Sequence, residues 1–121
     1  MRIPAGGGPP PHRHDFEESF TIFQGELEVT FRGVKSILRA GETANIPCNA
    51  PHQFQNKMDQ PVHVLYTCLP AGMEEFFVEV GVPVASRTTL PPKPDAASMA
   101  AFKEKSELLA PKFPTEILKH A

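Results

Sequence analysis

The chain of 121 residues has no tryptophan, one tyrosine and two cysteines. Cys48 and Cys68 are too few for a disulfide framework and lack metal-type spacing, so a disulfide scaffold and a thiolate zinc site are both excluded, and a reducing cytoplasm is the expected compartment. No apolar run approaches the roughly 20 residues that a membrane span needs, and Met1-Arg2-Ile3 does not open a signal peptide. No run of like charge is present either. With 12 basic and 14 acidic residues the formal charge is −2, so neither nucleic acid nor an anionic membrane is an expected partner. Gly6-Gly7-Gly8 is not a phosphate cradle, because the lysine and the following helix of that motif are missing.

What the chain has is proline and phenylalanine. Its 14 prolines suit short strands joined by stiff turns, and nine phenylalanines can fill one core, which at this length means one domain. Met1-Arg2-Ile3 reads as the end of a strand. Leu27, Val29 and Phe31 alternate with polar residues, as do Val62, Val64, Tyr66 and Cys68. Between them, Ser19–Phe23, Val34–Leu38 and Ala44–Pro47 are further strands punctuated by Gly25, Gly33 and Gly41. The pattern predicts an all-β barrel or jelly roll over residues 1–69. Residues 70–121 differ. Met73–Val80 is expected to be a short helix ended by Gly81, Val82–Pro94 an extended arm, and Asp95 the cap of a helix running to about Ala110 with Met99, Phe102 and Leu109 on one stripe. Phe113, Ile117 and Leu118 point to a final short helix docked on the barrel or on a partner subunit.

The chemistry concentrates in His12-Arg13-His14-Asp15-Phe16-Glu17-Glu18. On a strand, side chains alternate faces, so His12, His14 and Glu18 point the same way and form a set of metal-ligand type. A straight strand would separate His14 from Glu18 by about 13 Å, so the chain must bend or bulge at Asp15-Phe16-Glu17 for all three to bind one ion. Glu17 competes with Glu18, since a one-residue slip exchanges the two faces. His52 is a fourth ligand candidate, and Phe54, two residues on, shares its strand face. His63 is expected to face outward, and Cys48 to be structural.

These two stretches resemble the two cupin motifs. Gly6, His12, His14, Glu18 and Gly25 match the first, and Gly41, Pro47, His52 and Asn56 match the second, with Asn49 standing where the second motif has a further glycine. Asparagine tolerates positive φ better than most residues, so the departure is mild. The resemblance implies a small cupin β-barrel (a double-stranded β-helix) and a metal held by His12, His14, Glu18 and His52. Such a set leaves two of six octahedral positions open and suits iron, manganese, nickel, copper or zinc. Similarity to small single-domain cupins of the quercetin dioxygenase type implies a mononuclear oxygenase acting on an enol, enediol or aromatic substrate, with Glu18 doubling as general base. Phe20, Ile22, Phe54 and Tyr66 are the expected pocket residues. A non-oxidative isomerase or decarboxylase and a non-catalytic small-molecule-binding module stay open. Cupin relatives usually carry a strand or two before this starting point, so either the barrel is shorter here or a second subunit completes the edge, and a homodimer is the expectation.

Overall fold

The computed structural model describes residues 1–90 and 93–121; Pro91 and Pro92, within the expected arm, lie outside the described residues. Its strands are β1 (Arg2–Ile3), β2 (His12–His14), β3 (Glu17–Gln24), β4 (Glu26–Phe31), β5 (Val34–Arg39), β6 (Thr43–Ile46), β7 (His52–Gln55), β8 (Val62–Leu69) and β9 (Thr115–Ile117). Helices α1 (Met73–Val80) and α2 (Ala96–Leu109) follow β8. One sheet has the order β1-β8-β3-β6 and the other β5-β4-β7-β2-β9. Every pairing is antiparallel. The expected all-β architecture with a helical C-terminal extension is what forms.

The sheets close on each other because each presents an apolar face at every second residue. Phe20, Ile22, Val62 and Val64 from one sheet meet Leu27 and Val29 from the other, all essentially without solvent exposure. Burying side chains of this size stabilises the fold by roughly 1.5–3 kcal/mol each before chain entropy is counted. The alternation is read correctly from the sequence in β4 and β8. In β3 the same alternation turns Phe23 outward, where its ring meets outward-facing His63 edge-on at 5.6 Å, beside a register shift between Ile22 and Gln24.

The helices are capped as their sequences indicate. Asp95 accepts a bond from the Ser98 N–H at 2.7 Å at the start of α2. Glu74 and Glu75 lie in the first turn of α1, where the exposed N–H groups favour negative charge. The final segment corrects the sequence reading. Instead of a short helix carrying Phe113, Ile117 and Leu118, the chain makes one 3-10 turn at Ala110–Lys112 and then runs as strand β9. Pro111 and Pro114 deny a helix two of its backbone donors, and β-branched Thr115 and Ile117 suit the sheet edge that β2 offers.

Asn56, fully buried, ties the barrel's end together. Its Nδ2 donates to the carbonyls of Ile3 (3.1 Å) and Gln60 (2.7 Å), and its Oδ1 accepts from the Met58 N–H (2.9 Å). Asn56→Ala strands these backbone groups, and we expect a loss of about 2–4 kcal/mol in urea unfolding; an unchanged midpoint would show that the brace is redundant.

Candidate metal centre

Strand β2 carries His12 and His14 at its two ends, both facing inward, and Arg13 between them faces out. The chain then breaks at Asp15-Phe16, which is the bend that the spacing demanded. Buried Phe16 stacks flat on the His14 ring, with centroids 3.8 Å apart and planes 2° from parallel. Strand β3 begins at Glu17, which is exposed, and turns Glu18 inward at 2% exposure. His52, the first residue of β7, pairs directly with His12. Ligand atoms of His12, His14, Glu18 and His52 all lie within 4.8 Å of one another. Octahedral ligands about 2.1 Å from an ion are about 3 Å apart when adjacent and about 4.2 Å when opposite, so the cluster has the required size.

Two backbone features make this approach possible. The loop residue Asn49, φ 61°, sits in the left-handed region expected of it, and its N–H donates to the His14 carbonyl at 2.6 Å. Gly8, φ 146°, lies so close to β7 that a Cβ there would be 2.1 Å from the Phe54 carbonyl oxygen. Close backbone approach is thus the role of Gly8 in the glycine tract.

The three imidazoles are oriented alike. Nδ1 of His12 meets the Pro10 carbonyl at 2.8 Å, that of His14 the Phe16 carbonyl at 3.0 Å, and that of His52 the Ala50 carbonyl at 2.8 Å. A carbonyl only accepts, so each Nδ1 carries the hydrogen and each Nε2 turns a lone pair inward. His52 Nε2 then lies 2.5 Å from Glu18 Oε1, and His14 Nε2 3.0 Å from Glu18 Oε2. Despite these short distances, His14 Nε2, His52 Nε2 and Glu18 Oε1 make no hydrogen bond of acceptable geometry. They are better described as buried acceptors converging on one point than as salt bridges. Such a set needs a cation, and three imidazoles with one carboxylate are the donors of a borderline divalent transition metal. The residues fit the group.

The field around the cluster keeps it ready. Burial, then the neighbouring His52, lowers the pKa of His12 to about 4, so this ligand is neutral near pH 7. Burial pushes the Glu18 carboxyl up, but the hydrogen bond that Tyr66 donates to its charged form acts the other way, and the carboxyl stays below its usual range as an anion. The Tyr66 hydroxyl donates to Glu18 Oε2 at 2.5 Å. Burial and the Glu18 charge push the phenol far up, which keeps it a donor.

The cluster lies at one side of a cavity of about 790 Å³ that His12, Glu18, Phe54 and Tyr66 line from the barrel. Phe20 and Ile22, also expected in the pocket, are fully buried in the core and do not line it; Phe20 supports the Phe54 and Tyr66 rings from behind, at 4.7 and 5.3 Å. Facing the barrel wall, the C-terminal extension contributes Phe76 and Phe77 from α1, Phe102 from α2, Phe113 beyond it and Ile117 from β9. The sequence pattern puts Phe102 on a helix stripe and Phe113 and Ile117 in a docked segment but not in the cavity, because the contact that places them there is long-range. Cys48 is exposed and Cys68 half-buried, and neither joins the cluster.

Comparison with known proteins agrees with this geometry. Residues 1–68 match the Cupin domain family. The quercetin 2,3-dioxygenase of Bacillus subtilis is 31% identical over 75 residues, which are 61% of this chain and 22% of that protein, so the chain spans about a fifth of that relative's length. The fold resembles the salicylate 1,2-dioxygenase of Pseudaminobacter salicylatoxidans (TM-score 0.56, 19% identity, 64% of this chain and 23% of that one). It also resembles a cupin-superfamily sugar phosphate isomerase from Silicibacter pomeroyi (TM-score 0.50, 25% identity, 54% and 44%).

Two outcomes are expected. His52→Ala abolishes stoichiometric binding of Co(II), Ni(II) or Fe(II) in equilibrium dialysis, whereas wild type binds one equivalent; equal binding by both would overturn the assignment. In metal-free protein His12 titrates near 4 when folded and near 6.5 when unfolded. Between those values the unfolded chain takes a proton that the folded chain refuses, so stability falls as pH drops from about 6.5 to 4. The expected loss of about 3 kcal/mol is absent in His12→Gln, as thermal unfolding against pH will read out.

Proposed function

The chain belongs to the cupin family, and on that premise we propose that it is a mononuclear metal-dependent oxygenase, dioxygenase-like, acting on a small enol, enediol or aromatic substrate. The observation that carries this reading is the four-ligand cluster set into the wall of a largely apolar, aromatic-lined cavity. The dioxygenase relative supports it at 31% identity over part of its length. When bound, a divalent transition metal supplies Lewis acidity and, if redox-active, reactivity with dioxygen.

This chain's own residues do the rest. His12, His14 and His52 hold the ion with neutral nitrogen donors, and Glu18 completes the set. Glu18 also accepts the hydroxyl proton of an enol placed beside it, with Tyr66 bonded to Oε2 steadying the carboxylate. Phe54, Phe77 and Phe102 stack against a flat substrate and keep water from it. A second reading has one observation in its favour. Tyr66 and Glu18 are two proton-handling groups 2.5 Å apart, which an isomerase or decarboxylase would need. The free thiols of Cys48 and Cys68 support a reducing, cytoplasmic setting, and the exposed apolar side chains Val78, Met99 and Leu108 support a homodimer.

An oxygen electrode separates the readings. Protein loaded with iron, nickel, manganese or copper should consume oxygen with flavonols or enediols, Glu18→Gln should slow turnover by about 10²–10⁴-fold, and the zinc form should be inert. Substrate conversion without oxygen would overturn the oxygenase in favour of isomerase or decarboxylase chemistry, and tight ligand binding with no conversion would leave a binding module. Phe77→Ala should raise KM by roughly tenfold with kcat changed less, reflecting about 1.5 kcal/mol of lost aromatic contact.

A further inference from the structure

Strand β2 holds two of the four clustered side chains, yet it has one matched pair with β7, His12 with His52. With β9 it has three, His12 with Ile117, Arg13 with Glu116 and His14 with Thr115. Bonds beyond each end extend the match. The Leu118 N–H donates to the Pro11 carbonyl at 2.8 Å and the Asp15 N–H to the Pro114 carbonyl at 3.2 Å. Bonded and non-bonded pairs alternate along an antiparallel ladder, so Arg13 and Glu116 are the bonded pair between those two. His12 with Ile117 and His14 with Thr115 are then the close non-bonded pairs, in which side chains pack against each other on the cavity face.

The outer face is clipped as well. Arg13 Nε donates to Glu116 Oε2 at 2.7 Å. The chain leading into β9 is anchored by buried Ala110 and Phe113, the latter edge-on to Phe76 with centroids 5.5 Å apart. On its other side, among the described residues, the bond from Asn49 to the His14 carbonyl is what β2 gains beyond the His12 pair. The backbone of Arg13, midway between the two histidines, has its ladder partner in β9.

We propose that β9, outside the residues that match the Cupin domain, is a positioning element of the metal centre that holds His12 and His14 at ligand spacing. Without it β2 becomes an edge strand, and the freedom of two ligands has to be lost anew on each binding event. Groups that orient ligands without touching the ion change affinity by about 10–100-fold. The inference rests on the metal centre and not on the oxygenase reading.

The test is Co(II) affinity of full-length variants, by competition with a colorimetric chelator, together with the visible absorption of the bound Co(II) and the Tm of the metal-free protein. Glu116→Pro removes the central N–H of the ladder, Ile117→Ala keeps the ladder but removes the packing beside His12, and Val29→Ala weakens the core in β4 as a comparator. We expect Glu116→Pro to bind Co(II) about 10–100-fold more weakly with shifted bands and Ile117→Ala several-fold more weakly. Val29→Ala should keep wild-type affinity and bands despite its lower Tm. Wild-type affinity and spectrum in both β9 variants would overturn the inference, as would an equal loss in Val29→Ala. Failure of the wild type to bind Co(II) would overturn the metal centre and this inference with it, whereas a protein that binds metal but consumes no oxygen bears only on the proposed function.

Discussion

Buried acceptors that point at one another are the constraint around which this molecule is arranged. Three Nε2 lone pairs and a carboxylate share a space of 4.8 Å, and among the described residues only Glu18 Oε2 has a protein donor, Tyr66. A core built for stability alone would not contain such a group, since each unpaired buried polar atom costs about 1–3 kcal/mol. The strain is tolerable because it is local and because a bound cation relieves it.

Much of the surrounding backbone serves to hold that arrangement. Each imidazole is turned by a carbonyl two residues away in the chain: Pro10 for His12, Phe16 for His14 and Ala50 for His52. Orientation therefore comes from short local loops and not from distant partners. Those loops are in turn held by residues that tolerate unusual backbone geometry or close approach, Asn49 and Gly8 among them. The aromatic shelf of Phe16 under His14 and the hydrogen bond from Tyr66 to Glu18 complete the support.

The C-terminal extension makes the clustered side chains of the barrel part of a walled cavity. Helix α2 has no buried residue, and its share in the fold is the surface it turns towards the cavity, with Phe102 and Lys103 among the lining side chains. Met99 and Leu108 on the same helix are exposed to solvent.

Local information in the sequence was enough for most of the barrel, and the resemblance to the two cupin motifs supplied the four clustered residues. Period-two alternation placed β4 and β8, the HxH pair with Glu18 defined an inward face, and the spacing alone demanded the bend that the structure makes at Asp15-Phe16. Helix caps at Asp95 and Gly81 were equally legible, because capping is chemistry between neighbours. Tertiary structure decided the rest. Whether Glu17 or Glu18 faces the cluster depends on where β3 begins after the bend, and Phe20 and Ile22 sit in the core because the two sheets close over them. The last segment is a strand and not a helix because β2 presents an unpaired edge that no pattern within residues 113–118 reveals. Alternation says which side of a strand is apolar; only the partner across the sheet says what that side will touch.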